Sequence, residues 1–295
     1  MTVMVTGASG PIGHALVPLL RRKDEVRAAI RRPEEAEALR ALGAKVTVGR
    51  LDDADALAEV LGGVFTLVHL VGGPDHAEED AMWEANHGSV IRALQAAREA
   101  GVRRFVLVSV PGASPEAADP FLRAKGMAEE AVTTSGLQHA VIRSAPVVGT
   151  GSLWFAATVA GALDTPPVVW GEGDRSSAPV AVADLAVVLA AMDDLAGEVA
   201  GTWALEGPDV TTADGVLALL AGADARPEHL EGEGARARLS HLLERDVSSL
   251  VVSALTASAR GDARDVAADL GLTRTPLAEA MRGALASAAT SGAAR

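Results

Sequence analysis

Gly7-Ala8-Ser9-Gly10-Pro11-Ile12-Gly13 follows a short apolar stretch, residues 2–6, and opens a helical one, residues 11–22. Strand, glycine turn and helix in that order constrain the fold more than any other feature of the chain. Glycines permit the tight turn and a close approach of backbone, and the helix that follows offers bare amides at its N-terminus. Such a turn opens a βαβ unit. The same rhythm continues, with strands read at 25–30, 45–48, 64–71, 104–109 and 139–143 and helices at 33–42, 53–61, 80–100 and 121–135. Strands alternating with helices in this way predict a parallel sheet, and their nearly unbroken apolar runs predict one covered on both faces.

After Gly149 the rhythm changes. A strand is read at 168–170, a helix at 182–192 and another strand at 202–205; from about Thr211 the pattern looks purely helical. The expected organisation is a core of residues 1–150 with returning elements at about 168–205. Residues 151–167 and 206–295 are expected to form a smaller, mainly helical lobe.

Composition removes whole classes of chemistry. The chain of 295 residues has no cysteine, which excludes disulfides, thiolate nucleophiles and cysteine-held metals. No metal-ligand set is read. Tyrosine is also absent, so no phenol of the protein can act as an acid. A net charge of −13 argues against nucleic-acid and anionic-membrane partners. No leader is read, and the apolar stretches fall short of the ~20 residues a membrane span needs. A cytoplasmic protein, monomer or homodimer, is the expectation.

The glycine turn places Gly7, Ser9, Gly10, Pro11, Ile12 and Gly13 where a pyrophosphate would sit on a helix N-terminus. The second strand ends Ala29-Ile30-Arg31-Arg32. An acid there would hold a ribose 2′-hydroxyl; Arg31 and Arg32 match a 2′-phosphate instead, so NADPH is expected over NADH.

The Gly-x-x-Gly-x-x-Gly spacing resembles that of the short-chain dehydrogenase/reductase superfamily, nearest its extended and atypical groups, including NmrA-like proteins. The resemblance implies an α/β fold, a Rossmann-type doubly wound parallel sheet with a smaller, mainly helical C-terminal substrate lobe. It extends along most of the chain. Gly49-Arg50-Leu51-Asp52-Asp53 is similar to a Gly-Asp-Leu-x-Asp run that meets adenine, which assigns Leu51 and Asp52 to the cofactor. His69-Leu70-Val71-Gly72-Gly73 looks like the end of the fourth strand, with Leu70, Val71 and Gly72 along the dinucleotide. Asn86-His87-Gly88 is similar to an Asn-x-x-Gly helix that supports the active site, with the glycine one residue nearer. Arg143 to Gly149 resembles the nicotinamide-side run and assigns Ala145, Pro146 and Val147 to the cofactor. Residues 179–186, Pro-Val-Ala-Val-Ala-Asp-Leu-Ala, resemble a structural element of the family. His69 and His87 are read as packed histidines.

The catalytic signature Tyr-x-x-x-Lys appears as Phe121-Leu122-Arg123-Ala124-Lys125, in which the lysine persists and the tyrosine does not. Lys125 is one of three lysines in the chain and is expected to hold the nicotinamide ribose. The hydroxyl position after the fifth strand falls on Val110, with Ser109 one residue short. Proton supply is open between Ser109 or Ser114, a water held by Asn86 or Lys125, and a phenol of the substrate itself. Val110, Phe121, Trp154, Phe155 and Trp170 are expected to line a pocket for a flat aromatic ligand. The leading expectation is an NADPH-dependent ketoreductase of bulky aromatic polyketides, similar to angucyclinone ketoreductases. A quinone or azo reductase is a variant of it. The rivals are a non-catalytic redox-sensing regulator of NmrA type and a structural subunit.

Overall fold

A computed structural model describes residues 1–49, 53–76, 78–256 and 263–291. The strands are β1 (Thr2–Thr6), β2 (Glu25–Ile30), β3 (Lys45–Val48), β4 (Thr66–His69), β5 (Arg104–Ser109), β6 (Gln138–Ser144), β7 (Val147–Val148), β8 (Val168–Trp170), β9 (Val180–Ala181), β10 (Ala200–Leu205), β11 (Glu228–Leu230) and β12 (Arg264–Asp265). The helices are α1 (Pro11–Leu20), α2 (Ala36–Ala41), α3 (Ala54–Val60), α4 (Glu79–Trp83), α5 (Ser89–Glu99), α6 (Pro120–Thr133), α7 (Leu153–Leu163), α8 (Val182–Asp194), α9 (Ala213–Ala221), α10 (Gly232–Leu242), α11 (Ser249–Thr256), α12 (Val266–Asp269) and α13 (Leu277–Ser291).

Eight strands form one sheet in the order β12-β10-β6-β5-β4-β1-β2-β3. Every pairing in it is parallel. Both faces are covered, as the apolar runs require. In β1, Val3 and Val5 join the core that includes Leu16 and Leu189 of α1 and α8, while Met4 between them joins the opposite core with Leu57 and Leu94 of α3 and α5. The strand order reverses between β1 and β4. In open α/β sheets that reversal leaves a crevice at the carboxyl ends of the strands, which is where ligands bind.

Two expectations about the second half are corrected. The strand at 168–170 does not return to the main sheet: β8 pairs with β11 in a separate two-stranded sheet of the lobe. The part after Thr211 is not purely helical, because β11 and β12 lie within it and β12 extends the main sheet beside β10. Both strands are only two or three residues long, too short to show a period of two. The expected helix over 80–100 is also interrupted. Residues Glu84–Gly88 form one π turn between α4 and α5. The motif at 179–186 is structural, as expected, since Asp184 accepts from the Thr275 backbone (2.7 Å) and hydroxyl (2.9 Å).

Arg104 fixes the back of the sheet. Its side chain is fully buried, and its guanidinium donates to the carbonyls of Met192 (2.8 Å), Asp193 (2.6 Å) and Leu195 (2.8 Å) at the C-terminus of α8. These are carbonyls a helix leaves without partners, and the positive charge also meets the negative end of the helix dipole. Arg104→Met should leave them buried and bare. The expected loss is about 3 kcal/mol, read as a lower urea midpoint with little change in slope.

Candidate functional site

The cleft is built first from close backbone contact. Gly7, at φ 71°, is pressed against the chain after β4: a Cβ there would lie 2.8 Å from the Leu70 carbonyl carbon. A Cβ on Gly13 would lie 2.2 Å from the Ala8 carbonyl oxygen. The N-terminus of α1 starts with Pro11 and has no side-chain cap, so the Ile12 and Gly13 amides are offered to the cleft. Ser9 and Gly10 complete the turn, half-buried at its mouth. This cradle fits the pyrophosphate of a dinucleotide. When bound, that cofactor supplies a hydride; the surrounding residues hold it and orient its partner.

Asn86 closes the other side. It is fully buried within the π turn, where its side chain accepts from Gly73 N–H (2.8 Å) and donates to Gly73 C=O (2.8 Å) and Met82 C=O (2.9 Å). Gly72, at φ 123°, could carry no Cβ without meeting Asn86 Oδ1 at 2.5 Å and Lys125 Nζ at 3.2 Å. Lys125 comes from α6 and donates to Val108 C=O at 3.1 Å. Burial lowers its pKa to about 8, partly opposed by Glu129 one turn further on. Glu129 is itself held by Arg143 at 2.7 Å.

His69 supports this wall. Its Nδ1 accepts from Thr6 Oγ1 (2.9 Å); its Nε2–H donates to Ser89 Oγ (3.1 Å), which donates to Ala85 C=O (2.6 Å) in the π turn. Burial, with Lys125 and Arg92 nearby, lowers its pKa to about 3, so it stays neutral. His87 is half-buried, edge-on to Trp83.

The remaining expected residues separate. Arg31 and Arg32 are both exposed, and Arg32 is paired with Glu35, so Arg31 is left as the candidate for a 2′-phosphate. Burial, with a smaller contribution from the charge of Arg31, lowers the pKa of His76, and Asp75 opposes it. Leu51 and Asp52 lie outside the described residues. Ala145 is buried with its N–H on Leu205 C=O, Pro146 C=O accepts from Val180 N–H, and Val147 C=O accepts from Ser152.

Val110 and Phe121 do come together, in one apolar cluster with Met82, Trp83, Leu122, Ala124, Leu250 and Ala254. Trp154, Phe155 and Trp170 do not join them. Phe155 packs with Met281 of α13, and Trp170 packs with Leu239 and Val251 in the lobe and donates to Ala157 C=O at 3.0 Å. Trp154 and Trp170 line a cavity of only about 30 Å³, room for about one water. The single aromatic pocket expected from sequence is thus replaced by three clusters, because helical spacing cannot tell a core aromatic from a ligand-facing one. Ser114 spends its hydroxyl on Glu116 at 2.7 Å, whereas Ser109 is fully buried and its hydroxyl makes no hydrogen bond among the described residues. The carboxylates of Asp24, Asp193 and Asp194 converge at the other, N-terminal end of the strands, where the N-terminal ammonium pairs with Asp24 and Lys23 with Asp194.

Comparison with known proteins agrees with this geometry. A family profile described as NAD(P)H-binding matches residues 7–152. A ketoreductase from Stigmatella aurantiaca, acting on 4-hydroxy-2-methyl-3-oxo-4-farnesyl-3,4-dihydroquinoline-1-oxide, is 30% identical over 223 residues, 68% of this chain and 67% of that protein. A (4-alkanoyl-5-oxo-2,5-dihydrofuran-3-yl)methyl phosphate reductase from Streptomyces griseus is 28% identical over 82% of this chain and 81% of its own length. The fold matches UDP-glucose 4-epimerase of Thermotoga maritima with a TM-score of 0.74 over 99% of both chains at 18% identity. The chain belongs to the NAD(P)H-binding Rossmann-type proteins of the atypical short-chain dehydrogenase/reductase and epimerase superfamily. It is an oxidoreductase.

Two pH effects follow. Between pH 8 and 10.5 the unfolded chain binds a proton at Lys125 that the folded chain does not, so stability should rise with pH through that window. Below it the buried charge weighs fully, and Lys125→Met should gain on the order of 3 kcal/mol at pH 7 while weakening dinucleotide binding. For His69 the unfolded chain takes up a proton below 6.5 that the folded chain refuses down to about 3, so stability should fall across that range on acidification. His69→Gln should flatten the slope in acid denaturation curves.

Proposed function

We propose that the protein is an NADPH-dependent ketoreductase acting on a bulky aromatic polyketide ketone of angucyclinone type, whose own neighbouring phenol takes up the developing charge. The observation that carries this reading is the pairing of an intact Lys125–Asn86–Gly72 cluster with an apolar face at Val110 and Phe121. The residues that would hold a nicotinamide ribose are kept, while both positions that would supply an acid are hydrocarbon. Hydride delivery needs a held cofactor and an oriented carbonyl. Loss of a general acid removes about 10²–10⁴-fold of rate unless another group replaces it. A phenol beside the ketone, already hydrogen-bonded to its oxygen, is such a replacement, and an apolar wall is what a polycyclic body requires.

The residues then divide the work. Gly7 to Gly13 receive the pyrophosphate, Arg31 the 2′-phosphate and Lys125 the ribose, and Val110 and Phe121 keep water from the carbonyl. In a quinone or azo reductase the same residues would serve, but the neighbouring phenol would not matter.

The test is turnover of a phenolic polycyclic ketone against its methyl ether with NADPH. The ether should react about 10²–10⁴-fold more slowly while still binding, and Ser109→Ala should change little. A fast ether with an inactive Ser109→Ala variant would move the acid to the protein. Arg31→Ala should weaken NADPH by about 1.5–3 kcal/mol and leave NADH nearly unchanged, read by titration calorimetry. Equal losses would remove Arg31 from cofactor choice.

A further inference from the structure

Helix α11 is tied to both sides of the cleft. Just ahead of it, Arg245 forms a two-bonded ion pair with Asp75 at 2.9 and 2.8 Å. Asp75 belongs to the same loop as Gly72 and Gly73, which Asn86 grips. Within α11, the Ser253 hydroxyl donates to Asp119 Oδ2. The other oxygen of Asp119 caps α6 by accepting from Leu122 N–H at 3.0 Å, and α6 is the helix that carries Phe121 and Lys125.

Leu250, between the two tethers, and Ala254, next to the second, stand one helical turn apart on one face of α11. They join Phe121, Val110, Trp83 and Met82 in a single apolar cluster. Phe121 and Lys125 are each only 5% exposed. A compound lying against Phe121 beside Lys125 would meet Leu250 and Ala254, the residues of α11 packed on that cluster.

We infer that Leu250 and Ala254 are the specificity-determining residues of this site: they form the outer wall against the apolar body of the substrate, held there by Arg245–Asp75 and Ser253–Asp119. The inference rests on the reading of a bulky apolar carbonyl substrate. Shortening Leu250 enlarges the slot and enlarging Ala254 narrows it, with no change at the pyrophosphate cradle. Neither the glycine turn nor the lysine motif carries this information, since α11 lies more than a hundred residues beyond both.

The experiment measures a ladder of phenolic ketones with one, two and four fused rings. Affinity for the NADP⁺-saturated protein is read by quenching of tryptophan emission, and turnover with NADPH is read separately. Leu250→Ala should shift selectivity toward the four-ring ligand by about tenfold or more, and Ala254→Leu should shift it by a similar factor toward the one-ring ligand. NADPH affinity should be the same in all variants. If Leu250→Ala melts early, Leu250→Val tests the same direction with a smaller cavity. Selectivity that does not change with ring number in either variant overturns the inference, whether or not the wild type turns over. Selectivity that shifts in binding while no ketone is reduced supports the wall and overturns the ketoreductase reading.

Discussion

The turn after β1 touches the chain after β4, and the rest of the site is arranged around that contact. A side chain at Gly7 would collide with the Leu70–Val71 backbone, so the two strand ends can meet only with hydrogen at that position. Their meeting fixes the crevice where the strand order reverses. The loop running on from Leu70 then needs support from outside the sheet. Asn86 gives it by taking both the N–H and the C=O of Gly73. A buried chain of hydroxyl, imidazole and hydroxyl, Thr6–His69–Ser89, joins β1 and β4 to the π turn that holds Asn86. Fully satisfied polar groups in a low-dielectric interior fix one arrangement of their neighbours, because every alternative leaves one of them bare.

The first half of this architecture was legible because strand and helix periods differ and because glycines and helix caps mark the joints. The cradle, the lysine and the asparagine could be placed from local patterns. The π turn could not, since one extra residue in a helix leaves no trace in apolar spacing. Arg32 could be read only as a positive charge; its capture by Glu35 depends on the tight turn that follows β2. Val110, Phe121, Trp154, Phe155 and Trp170 read as one pocket in sequence because large apolar side chains near a site look alike there. Their separation is decided by α10, α11 and α13, which reach them from over fifty residues away in the chain.

The chemistry at the head of α6 is internally consistent. A phenol at position 121 would need a partner in a cluster made of Met82, Val110 and Leu250, and a buried hydroxyl without one is destabilising. Phe121 and Val110 are therefore a matched pair: each suits the environment the other makes. Lys125 is the opposite case. It holds a positive charge in a buried place at a cost to the fold, and such strain concentrates where a site uses it.

The strand β12 adds a consequence for how the chain comes together. It is the outermost strand of the core sheet, yet it follows α9, α10 and α11 in sequence. The segment from α9 to α11 is thus an insertion between two neighbouring core strands. Trp203 on β10 donates to Asp269 at 3.0 Å, just past β12, and lies under Arg264. During synthesis, β10 must wait for some sixty further residues before its edge is covered, a long-range closure of the kind that slows folding. Until then the edge of β10 that β12 covers stands open.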